Sequence, residues 1–125
     1  IIMRRFMNRI SQEIALKNGS SALVTGESLA QVASQTLRSM VVTNEVAKMP
    51  VLRPLVGLDK IEIIEYARKI GTYDTSILPY EDCCTIFVPK NPDLKPKLEK
   101  IRESESKLDV EGLVKAAVEG TETIG

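Results

Sequence analysis

The run Ser21-Ala22-Leu23-Val24-Thr25, closed by Gly26 and set between two stretches of helical periodicity, is the strongest constraint on the fold. A short apolar run that ends in glycine reads as a buried strand entering a turn. A second extended stretch, Pro50-Val51-Leu52-Arg53-Pro54-Leu55, carries prolines at both ends that suit a short strand and not a helix. Strands that alternate with helices pair in parallel through right-handed crossovers, so the expected class is an α/β layer structure with a parallel sheet.

The helices are read from apolar spacing. Across residues 3–17, Met3, Phe6, Met7, Ile10 and Ile14 form one stripe, with Arg4, Arg5, Arg9, Gln12, Glu13 and Lys17 opposite, and Asn18-Gly19 stops the pattern. A second helix is expected from Ser28, paired with Gln31 as a capping box, burying Leu29, Val32, Ala33, Thr36, Leu37 and Met40. Asp59 and Glu62 cap a third, which carries Ile61, Ile64, Ala67 and Ile70 on one stripe and ends at Gly71. Residues 75–78 fit a further short strand, and residues 94–107 and 110–119 read as charged helices. There is no internal repeat.

At 125 residues and 43% hydrophobic content the chain suits one domain with a buried core. Its 17 basic and 17 acidic residues balance, which removes any global electrostatic footprint for nucleic acid or an anionic membrane; an RNA contact would be local or lie elsewhere. No signal peptide or membrane span is read, and two adjacent cysteines are no disulfide framework, so a reducing cytoplasm is expected. The chain opens at Ile1, already inside a helical pattern, and the expectation is a piece of a longer protein.

Three features carry chemistry. Cys83 and Cys84 stand together after Glu81 and Asp82, and the chain has no histidine, so any work by these thiols is sulfur chemistry of their own. The flanking carboxylates would raise a thiol pKa, which fits a cysteine used transiently better than a resting thiolate; the alternative is two small residues filling a loop. The turn Val24-Thr25-Gly26-Glu27-Ser28 lies where an open α/β sheet takes a ligand, at the carboxyl end of a strand, although glycine there is also common for steric reasons. Beyond it Ser28, Gln31 and Gln35 share a helical face, either as nucleotide ligands or as a solvated polar surface. Arg4 or Arg5 could reach a phosphate, or be surface arginines.

The residues Leu23-Val24-Thr25-Gly26-Glu27-Ser28-Leu29-Ala30-Gln31-Val32-Ala33-Ser34-Gln35-Thr36, then Leu52-Arg53-Pro54-Leu55, then Pro79-Tyr80-Glu81-Asp82-Cys83-Cys84, resemble the tRNA 4-thiouridine sulfurtransferase family, also called thiamine biosynthesis protein ThiI. The likeness runs from about residue 4 to residue 96, with the motifs in the same order and at the same spacings. It implies a three-layer α-β-α, Rossmann-like PP-loop fold of the adenine nucleotide alpha hydrolase type, of which residues 1–125 form the C-terminal portion.

It further implies ATP with Mg2+ as cofactors, adenylation of a tRNA uridine, and sulfur taken from the persulfide of a cysteine desulfurase. In thiamine synthesis it implies a sulfur-carrier protein as partner; a homodimer is left open. Arg4, Gly26 and Gln35 match nucleotide-binding positions and Cys83 the sulfur-handling cysteine, while no role transfers to Cys84 and no metal-ligating cluster is read. The family's Ser-Gly-Gly-x-Asp-Ser phosphate loop is not among the 125 residues, so they alone are expected to bind ATP weakly and not to adenylate. Ala30 replaces a glycine common in the motif, and no rhodanese domain follows the cysteine loop in this sequence. A 2-thiouridine-type tRNA thiolase and a non-catalytic sulfur-relay or desulfurase-docking module are the rival readings.

Overall fold

The first helix, α1 (Ile2–Lys17), ends because Gly19 takes a left-handed φ of 69°, which a side chain would resist. Gly19 N then donates to Leu16 O at 3.1 Å and Ser20 N to Ala15 O at 2.8 Å, so the last turn closes on itself and releases the chain into β1 (Leu23–Val24). The computed structural model describes residues 1–29, 35–80 and 95–124. The second strand, β2 (Val51–Leu52), follows helix α2 (Leu37–Asn44) and pairs with β1 in parallel, Leu23 opposite Val51 and Val24 opposite Leu52. Ladder bonds of 2.9 Å run from Leu23 N to Pro50 O and from Thr25 N to Leu52 O. The class is α/β with a parallel sheet, as the alternation of elements requires.

Helix α3 (Lys60–Lys69) has the expected box: Asp59 accepts from Ile61 N and Glu62 N, and Glu62 accepts from Asp59 N at 2.8 Å. Gly71, with φ of 75°, closes it by the device used at Gly19. The short strand expected at 75–78 is instead a helical turn, α4 (Tyr73–Ser76). Thr72 O accepts from Ser76 N at 3.0 Å, and the Tyr73 ring lies 4.7 Å beneath the Arg68 guanidinium, so local contacts on α3 prevail over the β preference of Thr75. Helices α5 (Leu98–Glu105) and α6 (Val110–Glu119) complete the order, α6 capped by Asp109, which accepts from Gly112 N at 3.0 Å.

Two further expectations are corrected. The second helix does not begin at Ser28: residues 27–29 are not helical, and α2 starts at Leu37 with Thr36 accepting from Ser39 N as its cap. Ser28 is instead tied to the segment beyond β2, its hydroxyl donating to Leu58 O at 2.7 Å. Gln31 lies outside the described residues, and Leu37, assigned to the buried stripe, is exposed.

On α1 the burial is inverted relative to the apolar stripe. Arg5 is 1% and Gln12 4% exposed, whereas Met7 is 55% exposed. This helix packs on α6, α2 and β1, and Gln12 reaches across to accept from Lys48 N. The buried apolar residues among those described are few: Ala15, Leu23, Met40 and Val42. No helix among the described residues is long and apolar enough to cross a membrane.

Candidate functional site

Both strands deliver their carboxyl ends to one place. Beyond β1 the chain runs through Gly26, Glu27 and Ser28 alongside the turn that follows β2, held there by Leu29 N donating to Val56 O at 3.2 Å and by the Ser28 hydroxyl on Leu58 O. Such a junction is where open α/β sheets take ligands. Glu27, 9% exposed, is the centre of the cluster. Its Oε1 accepts from Arg4 Nη1 at 2.6 Å; its Oε2 accepts from Arg53 Nε at 2.7 Å and from Thr25 Oγ1 at 3.1 Å. Arg53 is fixed in turn by Asn44 Oδ1 at 3.1 Å and Val51 O at 3.2 Å. Burial pushes the Glu27 carboxyl up, but the hydrogen bond and charge of Arg53, the charge of Arg4 and the Thr25 hydroxyl outweigh it, and the net shift is downward.

Of the residues singled out from sequence, three meet here. Arg4 arrives from α1 through Glu27. Gly26 is the neighbour of Glu27, is exposed, and a Cβ built on it would meet no described atom within 4 Å. Gln35 comes back over the turn, its Oε1 accepting from Ser28 N at 3.1 Å. Cys83 and Cys84 lie outside the described residues, as do Glu81 and Asp82.

No helix N-terminus is formed among the described residues of this turn, 25–29. Ser28 N is taken by Gln35 and Leu29 N by Val56, so among the described residues an anion here would meet side chains and the open backbone at Gly26. Sequence reasoning missed Glu27 and Arg53 as members of the cluster. The only available signal was a carboxylate two residues after an apolar strand and an arginine directly after another, a pattern interpretable only once the strands are known to be parallel neighbours.

A second charged cluster ties α1, α2 and α5 together. Glu105, 5% exposed, takes paired hydrogen bonds from Arg5, both at 2.9 Å, and from Arg9 at 2.8 and 2.9 Å. Arg5 also donates to Val42 O and pairs with Glu45 at 2.9 Å, and Arg102 bonds the same Glu45. The Arg9 hydrogen bonds lead in holding the Glu105 carboxyl down, from 4.5 to about 2, with Arg5 adding to them and burial opposing.

A carboxyl whose folded pKa is depressed contributes stability that is complete above its unfolded value and lost as pH falls through the folded one. Glu105 is therefore expected to contribute roughly 3 kcal/mol at neutral pH, lost between about pH 5 and pH 2, with Glu27 and Glu45 shifting in the same sense. Urea midpoints followed from neutral pH down to about pH 3 test this; a flat profile refutes it, and Glu105→Gln is expected to reduce the slope.

The model of the family described as thiamine biosynthesis protein (ThiI) matches residues 1–110. The chain belongs to the ThiI family. A probable tRNA sulfurtransferase of Acetivibrio thermocellus is 62% identical over 124 residues, covering 99% of the chain and 32% of that protein. Another from Alkaliphilus oremlandii is 59% identical over 122 residues, covering 98% of the chain and 31% of its own length. The crystal structure of a 4-thiouridine synthetase–RNA complex with bound ATP superposes with a TM-score of 0.89 at 43% identity, over 97% of the chain and 32% of that protein. The chain thus spans about a third of the length of these relatives.

Proposed function

We propose that residues 1–125 are the C-terminal portion of the adenylating domain of a cytoplasmic tRNA sulfurtransferase that makes 4-thiouridine and supplies sulfur for the thiamine thiazole. The observation that carries this reading is the convergence of Arg4, Gly26 and Gln35 at the carboxyl ends of two parallel strands, in a chain similar over nearly its whole length to a synthetase that binds ATP and RNA. Nothing internal demands glycine at position 26: its φ lies outside the left-handed range, and the space above it is open among the described residues. An approaching adenine nucleotide is a sufficient reason for keeping that space clear.

In this reading Arg4 binds phosphate through the face of its guanidinium not spent on Glu27, Gly26 lets the nucleotide reach the backbone, and Gln35 holds the turn through Ser28 while its amide faces the ligand. When bound, ATP with Mg2+ would supply the adenylyl group that activates a uridine carbonyl oxygen, with pyrophosphate leaving. Cys83 then handles sulfur received from a cysteine desulfurase persulfide, and AMP leaves with the activated oxygen as sulfur takes its place on the tRNA; a sulfur-carrier protein is the acceptor in the thiamine branch.

Gly26→Val tests the nucleotide site. With no described atom within 4 Å of the added Cβ, thermal stability is expected to stay within a few degrees of wild type while ATP affinity falls about tenfold or more. Isothermal calorimetry belongs on the full-length protein, because the glycine-rich phosphate loop is not among these 125 residues. Unchanged affinity in the folded variant would remove Gly26 from the site. Loss of 4-thiouridine, with 2-thiouridine retained, in tRNA from a deletion strain separates this activity from that of a 2-thiouridine thiolase.

A further inference from the structure

A buried carboxylate beside a site proposed to take a triphosphate is unexpected, because its charge opposes the ligand. Glu27 has no direct use for an anion, yet it joins Arg4 of α1 to Thr25 and Arg53 at the strand ends. Its two oxygens are divided. Oε2 faces Arg53 and Thr25, and Arg53 is itself anchored to Asn44 and to the Val51 carbonyl, so that side of the carboxylate is fixed to β2 and α2. Oε1 faces Arg4, which comes from a different element and is 27% exposed. Arg4 spends Nη1 on this bond, and among the described residues no partner takes its other nitrogens. Two guanidiniums against one carboxylate leave the group with net positive charge.

We propose that Glu27 is a positioning residue: by accepting from Arg4 Nη1 it sets the rotamer of a long, mobile side chain and presents the remaining guanidinium edge to phosphate beside Gly26. This rests on the reading of Arg4 as a nucleotide-binding residue. An arginine held in advance loses little side-chain freedom on binding, whereas one released from its carboxylate must be ordered by the ligand.

Glu27→Asp is the variant of choice, since it keeps the charge that neutralises Arg53 but draws the carboxylate back from Arg4. In the full-length protein the KM for ATP in AMP release is expected to rise about tenfold, the loss of one charge-assisted hydrogen bond, with the melting temperature near wild type. Arg4→Ala is expected to raise KM by a similar factor, and the double variant to be no worse than Arg4→Ala alone, because Glu27 acts through Arg4.

A wild-type KM in Glu27→Asp, or effects that multiply in the double variant, would overturn the positioning role while leaving Arg4 in place. An unchanged KM in Arg4→Ala would instead overturn the nucleotide reading of Arg4, and this proposal with it. Should Glu27→Asp fail to fold, Glu27→Gln, which keeps the side-chain shape, is held to the same non-additivity with Arg4→Ala.

Discussion

Cys83→Ser is expected to lower tRNA thiolation by on the order of a thousandfold or more while ATP-dependent pyrophosphate release from the adenylation step continues, as removal of a covalent participant does when the preceding step is independent of it. The separation follows from the order of the proposed chemistry. Activation of the uridine oxygen draws on phosphate-binding groups, and the residues offered for that are Arg4, Gly26 and Gln35, none of them a thiol. Sulfur enters afterwards, and with no histidine in the chain these 125 residues hold no imidazole to substitute for the cysteine. A serine hydroxyl is similar in size but carries no persulfide, so the exchange isolates the sulfur atom from its volume. Liquid chromatography of nucleosides from tRNA treated with the variant gives the first readout and tRNA-dependent pyrophosphate release the second. If thiolation persists at wild-type rates, Cys83 is a packing residue; if both readouts vanish, the two steps are not separable in the way proposed. Cys84→Ser, run alongside, is expected to retain thiolation.

Glu105→Ala is expected to cost about 3–5 kcal/mol, a large part of what a domain of this size has in reserve. Arg5 is 1% exposed, and its Nε and Nη2 are both satisfied by this one carboxylate. Removing the carboxylate leaves a buried guanidinium facing an empty space, with only Glu45 and the Val42 carbonyl remaining. Arg9, partly exposed, can turn to solvent and contributes less. Replacing charge on both sides, as in Arg5→Met with Glu105→Leu, is expected to recover most of the loss, because the cost lies in the unpaired charge. Equilibrium urea unfolding of the two variants decides it: a single-variant loss below about 1 kcal/mol would mean that Arg5 finds water or another acceptor.

These two clusters mark the limit of what the sequence alone disclosed. The capping box at Asp59 and Glu62, the stop at Gly71 and the parallel partners around Leu23 and Val51 were readable because each depends on residues close in sequence or on an alternation of elements. Arg5 was assigned to a solvent face because its partner is 100 positions away, and an arginine with no visible carboxylate is rationally placed in water. Ser28 was read as a helix cap for the same reason: its true acceptor, Leu58 O, lies 30 positions ahead, and that bond diverts the residue from starting a helix. Gly26, Arg4 and Gln35 were named through the resemblance as nucleotide-binding positions, and the structure brings them to one turn; the carboxylate that joins Arg4 to it was overlooked because Glu27 has meaning only beside Arg53.

The pairing of Leu23 with Val51 has a consequence for quality as well as shape. Arg53 follows the β2 partner of Val24 by one residue, and Glu27 follows Val24 by three, so their contact exists only in this alignment. Sliding β2 by one residue would carry Arg53 about 3.3 Å along the strand and turn it to the opposite face, stranding Glu27 with half its counter-charge. A chain that paired its strands wrongly could still be compact, yet the carboxylate that holds Arg4 would have lost its anchor on β2. On the proposed reading, nucleotide binding at this turn would therefore add stability only to molecules whose strands have paired in register.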